Sequence, residues 1–351
     1  MVVDTQPFVS IVMPIRNEAD FIARSLGSVL TQTYPHDRME VVIADGMSTD
    51  DTRAIVRQVA DQHDIPVSIY DNPRQIAPTA LNIATAHARG DIIIRVDGHC
   101  EIAPDYVEKC VMHLQEDGVD AVGGPIETIG STPFSRAIAI AMSTPFGVGG
   151  SAFRTVKDER LFVDTVAFPA YTRRAVEAAG PYDEEQVRNQ DDEYNYRLRE
   201  LGFKILLAPD VRSTYYSRSS LRKLWRQYYQ YGYWKVRVMQ KHPRQMSLRQ
   251  FVPFTFVSAL WGSLLMALIG GKAGRFLLTM VVGSYVLANT LASLWTARRY
   301  GQAYLPYLPV IFATLHLSYG LGFLHGLIQF RDRWGETRQG SSPKSATNAG
   351  T

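Results

Sequence analysis

The stretch Ile92-Ile93-Ile94-Arg95-Val96-Asp97-Gly98-His99 joins an apolar, strand-like run to an acidic turn. An earlier stretch has the same form, because Val41-Val42-Ile43-Ala44 runs directly into Asp45. Short apolar runs that end at polar turns are typical of buried strands in parallel sheets. Both carboxylates should therefore emerge at the carboxyl edge of one sheet, which is where α/β folds place their ligands.

Strand-like runs and helical periodicity alternate through the first 210 residues. The predicted strands cover residues 9–13, 40–44, 67–70, 92–96 and 121–123. The predicted helices begin after residue 20, with Asn17 and Asp20 as capping candidates, and continue at 52–63, 78–88 and 104–114. The pattern predicts an α/β sheet with right-handed crossovers. Periodicity weakens over 126–168, where a glycine-rich loop at 147–151 either shapes a pocket or only connects elements.

The charge pattern changes near residue 211. Residues 211–251 contain ten Lys or Arg and no Asp or Glu, and the only acids after Asp210 are Asp332 and Glu336. The net charge of +3 therefore combines a nearly neutral first part with a basic and then apolar second part. Within the basic segment, apolar and aromatic residues recur at helical spacing, as in a helix that lies in the headgroup layer of a membrane. They are Leu221, Leu224, Trp225, Tyr228 and Tyr231.

Residues 251–270, 276–295 and 305–330 are runs without an acid or base. A helix needs about 20 apolar residues to cross a bilayer, so we expect two or three membrane helices rather than the buried helices of a soluble domain. Three crossings would put the basic residues after 330 outside, against the usual preference. The third run is therefore either re-entrant or an exception. Residues 1–7 lack the features of a signal peptide, so the first part should be cytoplasmic.

Cys100 and Cys110 are the only cysteines, which fits a reducing compartment. Together with His99 and His113 they could in principle form a four-ligand zinc site, but the spacing of the four residues matches no zinc-binding pattern. Buried packing is the favoured interpretation of both thiols.

Several short motifs occur in a fixed order along the first part: Pro14-Ile15-Arg16-Asn17-Glu18, Asp45-Gly46-Met47-Ser48-Thr49-Asp50, Ala80-Leu81-Asn82, Gly90-Asp91 and Asp97-Gly98-His99. The ordered set resembles the nucleotide-sugar-binding half of family 2 glycosyltransferases over roughly residues 8–240. The resemblance implies a GT-A fold, with a catalytic domain at 1–210, basic interfacial helices at 211–250, membrane helices at 251–330 and a disordered tail at 331–351.

The resemblance also implies roles for the first motifs. Pro14, Asn17 and Glu18 would lie beside the nucleoside, and Asp45 would accept a ring N–H from the base. Glu18 could instead complement a helix dipole. Asp97 would bind a divalent metal, Mn²⁺ or Mg²⁺, on the donor diphosphate.

His99 stands where the family usually has a second Asp. An imidazole ligand suits Mn²⁺ better than Mg²⁺, so His99 is a candidate metal ligand. It could instead donate to a phosphate or have no ligand.

Asn189-Gln190-Asp191-Asp192-Glu193 resembles the stretch that supplies the family's catalytic base, with Gln190 where Glu is commoner. Asp191 aligns with the base and would take the proton of the acceptor hydroxyl, which implies inversion at the sugar. Because Gln190 is uncharged, a like-charge effect on the base should be weaker. Asp192 and Glu193 are the fallback candidates, and a solvated acidic helix start is the alternative. By the same comparison, Arg226 or Lys235 could reach the donor diphosphate.

These features predict a membrane-anchored inverting glycosyltransferase at the cytoplasmic face of the inner membrane. The chain resembles exopolysaccharide glucosyltransferases of the succinoglycan type, and this resemblance implies a nucleotide-sugar donor such as UDP-glucose and a polyprenyl diphosphate-linked saccharide as acceptor. The Gln-x-x-Arg-Trp motif of processive synthases is absent, which favours addition of a single sugar. A catalytically inactive scaffold is the alternative. No dinucleotide-binding Gly-x-Gly-x-x-Gly turn follows the first strand, and membrane helices directly after the basic segment disfavour a nucleic-acid partner.

Overall fold

The computed structural model describes residues 6–116, 118–217 and 220–335. Its strands are β1 (Val9–Ile15), β2 (Met39–Asp45), β3 (Val67–Asp71), β4 (Ile92–Arg95), β5 (Cys100–Ile102), β6 (Ala121–Gly124), β7 (Ile126–Ile129), β8 (Leu161–Phe162), β9 (Ala167–Thr172), β10 (Ile205–Leu207) and β11 (Ser213–Tyr216). Its α-helices are α1 (Ile22–Leu30), α2 (Thr52–Ala60), α3 (Ala77–His87), α4 (Tyr106–Leu114), α5 (Pro133–Met142), α6 (Pro145–Val148), α7 (Ala152–Thr155), α8 (Arg173–Ala179), α9 (Gln190–Glu200), α10 (Leu221–Lys241), α11 (Val252–Ile269), α12 (Gly271–Tyr300) and α13 (Leu308–Gln329).

A sheet of eight strands in the order β3-β2-β1-β4-β9-β6-β10-β8 forms the centre of the first part. The strands β3, β2, β1 and β4 are parallel, whereas β9 is antiparallel to both of its neighbours. All seven residues of β2 are buried, as expected for a strand covered on both faces. Because β1 lies between β2 and β4, Asp45 and Asp97 flank its carboxyl end. The predicted α/β fold is confirmed. A smaller sheet, β5-β11-β7, lies beside the first.

The first helix is present as predicted, with one face buried, but its predicted caps are not. The side chains of Ile22, Ser25, Leu26, Val29 and Leu30 are buried. Phe21, however, occupies the N-cap position without a side-chain hydrogen bond. The capping prediction for Asn17 and Asp20 was wrong, since Asn17 bonds instead to the loop after β2.

In the part of the chain that the structure describes, three helices are long and apolar enough to cross a membrane: Leu248–Ile269, Gly271–Tyr300 and Leu308–Gln329. In the most apolar 18-residue window of each helix, 11% of the residues are buried within the protein for the first two and 50% for the third. The first two, α11 and α12, are separated by one residue and pack against each other as a hairpin. At its start, α13 contributes Leu308 and Phe312 to the hydrophobic core of the sheet-containing part. Just beyond its end, Arg333 pairs with Glu185. Both ends of α13 therefore contact the sheet-containing part.

The helix α10 packs along α13. Leu224 and Tyr228 of the predicted lipid-facing stripe are buried in the protein core, although Trp225 is exposed. The two helices approach closely because glycines line the contact: Gly232 faces the backbone of α13, and Gly322 and Gly326 face the backbone of α10. A helical period shows which residues share a face, but not whether lipid or protein covers that face.

The predicted disordered tail begins at residue 331. Arg331–Arg333 form a short 3-10 helix, and residues 336–351 lie outside the described residues.

Candidate active site

Two loops interlock at the carboxyl edge of the sheet, one after β1 and one after β2. Asn17 has a φ of 52°, a left-handed conformation that Asn tolerates. Its backbone N–H donates to Ser48 Oγ at 2.9 Å, and its side-chain oxygen accepts from the N–H of Thr49 at 2.9 Å. The N–H of Glu18 donates to Thr52 Oγ1 at 2.8 Å. These bonds fix the chain where a nucleoside contact was predicted.

Asp45 is fully buried at the end of β2. One carboxylate oxygen accepts the Ser48 hydroxyl, and the other accepts the Ser48 N–H at 3.0 Å and Arg53 Nε–H at 2.6 Å. Asp45 therefore holds the loop after β2 and has its charge compensated by Arg53. Its contact to a nucleobase stays a prediction.

Arg95 and Asp97 form a fork at the end of β4. Arg95 Nε donates to Asp97 Oδ1 at 2.9 Å, and Nη2 donates to Oδ2 at 3.2 Å. Burial alone would raise the pKa of Asp97, but Arg95 and His99 outweigh it and lower that pKa. Asp97 is therefore ionised at neutral pH, as a metal ligand must be.

His99 is held by Glu18. Its Nδ1 lies 2.9 Å from Glu18 Oε1. An ionised carboxylate can only accept, so the proton of the neutral imidazole is on Nδ1 and the lone pair is on Nε2. Tyr215 packs against the ring, with centroids 5.7 Å apart. The structure thus gives Glu18 a contact to the predicted metal ligand that the sequence did not suggest.

Asp191 is the second residue of α9. Burial raises its pKa, and the adjacent charge of Asp192 raises it further, against the opposing effects of Arg95 and Lys235. The expectation that Gln190 weakens a like-charge effect was incomplete, because Asp192 supplies such a charge from the other side.

Asp192 is paired with the Nζ of Lys235, whose side chain is 7% exposed. Burial opposes the charge on Lys235, but Asp192 raises its pKa, so the pair is ionic. Asp97 is likewise paired with Arg95. Among the described residues, Asp191 therefore has no ion-pair partner within bonding distance, whereas Asp97 and Asp192 each have one.

Most of these charged side chains line one large cavity, which we call the central cavity. Its volume is about 1130 Å³, and its walls include Asp97, His99, Asp191, Arg226 and Lys235. The helix α6 and the turn after it, residues 145–149 and 151, form part of the wall, which supports the interpretation of residues 147–151 as a pocket-shaping segment.

The central cavity does not include every predicted site residue. Its described walls contain Asp192 but not Pro14, Asn17, Glu18 or Asp45, which lie nearby at the same sheet edge. The predicted site residues therefore fall into two groups: those that line the central cavity, and those that form the interlocked loops after β1 and β2 beside it.

Sequence comparison gives the family of the chain. A family model described as glycosyl transferase family 2 matches residues 10–180. The succinoglycan biosynthesis protein ExoA of Rhizobium meliloti (strain 1021) is 33% identical over 325 residues, which cover 92% of this chain and 96% of that protein. The chain belongs to glycosyltransferase family 2.

A second family 2 relative is the dolichyl N-acetyl-alpha-D-glucosaminyl phosphate 3-beta-D-2,3-diacetamido-2,3-dideoxy-beta-D-glucuronosyltransferase of Methanococcus voltae. It is 30% identical, and the match covers 92% of this chain and 98% of that protein. The relatives are thus named for exopolysaccharide biosynthesis and for transfer to a lipid-linked sugar. The chain is accordingly a glycosyltransferase.

Solved structures show the same fold. The mannosyltransferase PcManGT from Pyrobaculum calidifontis, in complex with GDP-Man and Mn²⁺, superposes with a TM-score of 0.61 at 21% identity, covering 90% of this chain and 88% of that one. GalNAc-T7, solved with UDP, GalNAc and Mn²⁺, gives a TM-score of 0.51 at 20% identity over 67% of this chain and 48% of that one. The GT-A fold is confirmed.

The two predicted metal ligands, Asp97 and His99, lie in the wall of the same cavity. Within residues 6–116, 118–217 and 220–335, no cluster of three or more His, Cys, Asp or Glu side chains could enclose a metal. Asp97 and His99 Nε2 would supply one oxygen and one nitrogen, a set compatible with Mn²⁺. The remaining positions would be open to oxygens of a diphosphate.

Arg95 is the main functional residue that the sequence reasoning did not assign. A charged residue inside the apolar run of β4 was the available signal, since a buried cation requires a partner. Arg95 is 8% exposed, binds Asp97 and acts electrostatically on Asp191. It therefore connects the predicted metal ligand to the predicted base.

Proposed function

We propose that the protein is an inverting glycosyltransferase that moves one hexose from a nucleotide-diphosphate sugar, with UDP-glucose as the first donor to test, to a hydroxyl of a lipid-linked saccharide. The observation that carries this proposal is the carboxylate of Asp191, which has no ion-pair partner among the described residues and lies in the same cavity as Asp97 and His99. A base needs a free carboxylate near the reacting groups.

In the proposed reaction Asp191 accepts the proton of the acceptor hydroxyl. The hydroxyl oxygen forms a bond to the anomeric carbon on the face opposite the nucleoside diphosphate, whose oxygen leaves with the electrons of the broken bond. The raised pKa of Asp191 favours this proton transfer, because a more basic carboxylate accepts a proton more readily.

Asp97 and His99 would hold the divalent metal, which, when bound, offsets negative charge on the departing diphosphate. Glu18 keeps His99 Nε2 available for that ligation. Lys235 is committed to Asp192, so Arg226, an exposed cavity residue without an ion pair among the described residues, is the better diphosphate contact of the two candidates.

The proposed domain organisation places the catalytic part, residues 1–210, and the basic helices, 211–250, on the cytoplasmic side of the inner membrane. We assign two crossings, α11 and α12, to the membrane segment 251–330. Contacts at both ends of α13 support this assignment, and it keeps Arg331 and Arg333 on the cytoplasmic side, as the charge preference requires.

The decisive experiment combines transfer and donor binding. Purified protein in detergent, with Mn²⁺ and a lipid-extract acceptor, should transfer sugar from one of a panel of nucleotide sugars. Asp191→Asn should lower the transfer rate about 10²- to 10⁴-fold while Mn²⁺-dependent UDP binding persists. Asp97→Ala should weaken that binding. Full turnover by Asp191→Asn would reject the base, and absence of any transfer or donor hydrolysis by the wild type would favour the inactive scaffold.

A further inference from the structure

The central cavity extends beyond the catalytic groups to the base of the α11–α12 hairpin. Its far walls come from all three apolar helices and include Phe256, Tyr285, Ala288, Leu315, His316 and Tyr319. We call these six residues the membrane limb. We propose that the membrane limb binds the phosphate-proximal isoprene units of the polyprenyl carrier in the lipid-linked acceptor, and that Tyr319 donates a hydrogen bond to the phosphate of that carrier. This inference rests on the proposed function.

The size and charge of the cavity require more than a donor. Pockets for small ligands measure about 300–1,000 Å³, and this cavity reaches about 1130 Å³. Seven Arg or Lys side chains but only four Asp side chains line it among the described residues. The excess of cations favours bound anions, and a donor diphosphate next to Asp97 leaves the opposite end of the cavity unfilled.

Tyr319 marks the junction between the two ends. Its hydroxyl is buried in the cavity wall and has no hydrogen-bond partner among the described residues. Lys235, Asp192 and Arg249 lie within electrostatic range of it, and the carboxylate of Asp192 is already paired with Lys235. A buried hydroxyl without a partner is unfavourable, whereas an anionic oxygen would satisfy it. Arg249 lies at the start of the candidate membrane segment Leu248–Ile269, and a cation at the end of such a segment is placed to meet lipid phosphates.

The wall beyond the junction is preorganised. His316 Nε2 donates to the carbonyl of Phe146 at 2.7 Å, so its Nδ1 accepts the hydroxyl of Tyr285 at 3.0 Å. Phe256 stacks on Tyr285, with ring centroids 4.1 Å apart. Because these polar atoms satisfy one another, the wall offers mainly ring faces and aliphatic groups. Such a surface suits an unsaturated hydrocarbon chain more than a sugar.

Binding of a photoreactive farnesyl phosphate to the full-length protein in nanodiscs tests the proposal directly. Cross-links should map to α11, α12 or α13 near the membrane limb, and undecaprenyl phosphate should compete for them. Equal competition by phosphatidylglycerol would show that the site takes any lipid phosphate and would overturn the proposal. Because this assay needs no nucleotide sugar, its failure is distinguishable from failure of the transfer reaction.

Tyr319→Phe removes only the unpartnered hydroxyl, so folding should be unaffected. The probe affinity should fall about tenfold or more, the size expected for a hydrogen bond to a charged group. Tyr300→Phe, which removes a hydroxyl from an exposed tyrosine of α12, is the matched control and should bind normally. Unchanged affinity in Tyr319→Phe would refute the phosphate contact.

Ala288→Trp should block the membrane limb and reduce cross-linking, whereas Leu287→Trp, on the exposed neighbouring position, should not. Equal cross-linking in both variants would refute the chain site.

Discussion

Gly326 lies where α13 meets α10, and its substitution by Ala should separate the two helices. An added Cβ would stand 2.5 Å from the carbonyl oxygen of Tyr233 and 2.9 Å from Val236 Cγ2. Ordinary contacts begin near 3.4 Å, so the oxygen is about 0.9 Å too close. The obstructing atom is backbone within a helix, and relief requires α10 or α13 to move as a unit.

The expected cost follows from two opposing terms. Overpacking a tight contact costs about 1–3 kcal/mol. Replacing Gly by Ala inside a helix returns up to about 1 kcal/mol through helix propensity. Gly283→Ala isolates the second term, because Gly283 is helical in α12 and nothing lies within 4 Å of its added Cβ. The difference between the two variants is therefore the packing term alone.

Thermal unfolding in detergent, followed by tryptophan fluorescence, measures this difference. Each kcal/mol shifts Tm by about 2–4 °C for chains of 150–250 residues, so Gly326→Ala should melt several degrees below Gly283→Ala. Transfer to a lipid-linked acceptor should also fall, because α10 carries Lys235 and α13 carries Tyr319. Equal Tm values for the two variants would refute the close packing of α10 on α13.

Three further predictions concern charged groups. Lys235→Met removes a cation that lowers the pKa of Asp191, the proposed base, so that pKa should rise further. The acid limb of the pH–rate profile should then move to higher pH. An unchanged acid limb would exclude an electrostatic effect of Lys235 on Asp191. Glu18→Gln should weaken Mn²⁺ binding in the presence of UDP about 10- to 100-fold, because the His99 ring loses the carboxylate that orients it. Electron paramagnetic resonance measures the Mn²⁺ affinity, and Asp20→Asn is the control that should not change it. Equal Mn²⁺ affinities in the two variants would leave Glu18 only its predicted contact with the nucleoside. Burial acts to lower the pKa of His242, but hydrogen bonds and charge from two glutamates outweigh it and raise that pKa. The contribution of His242 to the free energy of unfolding should therefore be complete below about pH 6.5 and decline as pH rises through the raised pKa. A His242→Gln variant with the same dependence of Tm on pH as the wild type would contradict this.

The sheet, the alternation of strands and helices along the chain, and the family were predictable from the sequence. Every side chain of the apolar run 41–44 is buried in the sheet, so the acid that follows the run must lie at the edge of that sheet. The predicted α/β fold needed only these local patterns. The position of Asp45 followed as well, but its partner Arg53 did not, because a neighbour across a loop depends on side-chain geometry.

The membrane arrangement was less predictable. Composition identified three apolar runs, but α13 was not separable from the hairpin by hydropathy alone. What distinguishes α13 is its glycine-lined contact with α10 and its contacts at both ends with the sheet-containing part. Such contacts join residues about a hundred positions apart, and no local pattern contains them.

The choice of the base shows the same limit at the level of single atoms. Asp191 and Asp192 are adjacent acids, and only a comparison with the family ranked them before the structure. The structure distinguishes them physically, because Lys235 neutralises Asp192 while Arg95 is engaged by Asp97. Each cation lies close enough to lower the pKa of Asp191 without bonding to it. An acid in that position is not neutralised by an ion-pair partner among the described residues, and its raised pKa makes it a better proton acceptor, as a general base requires.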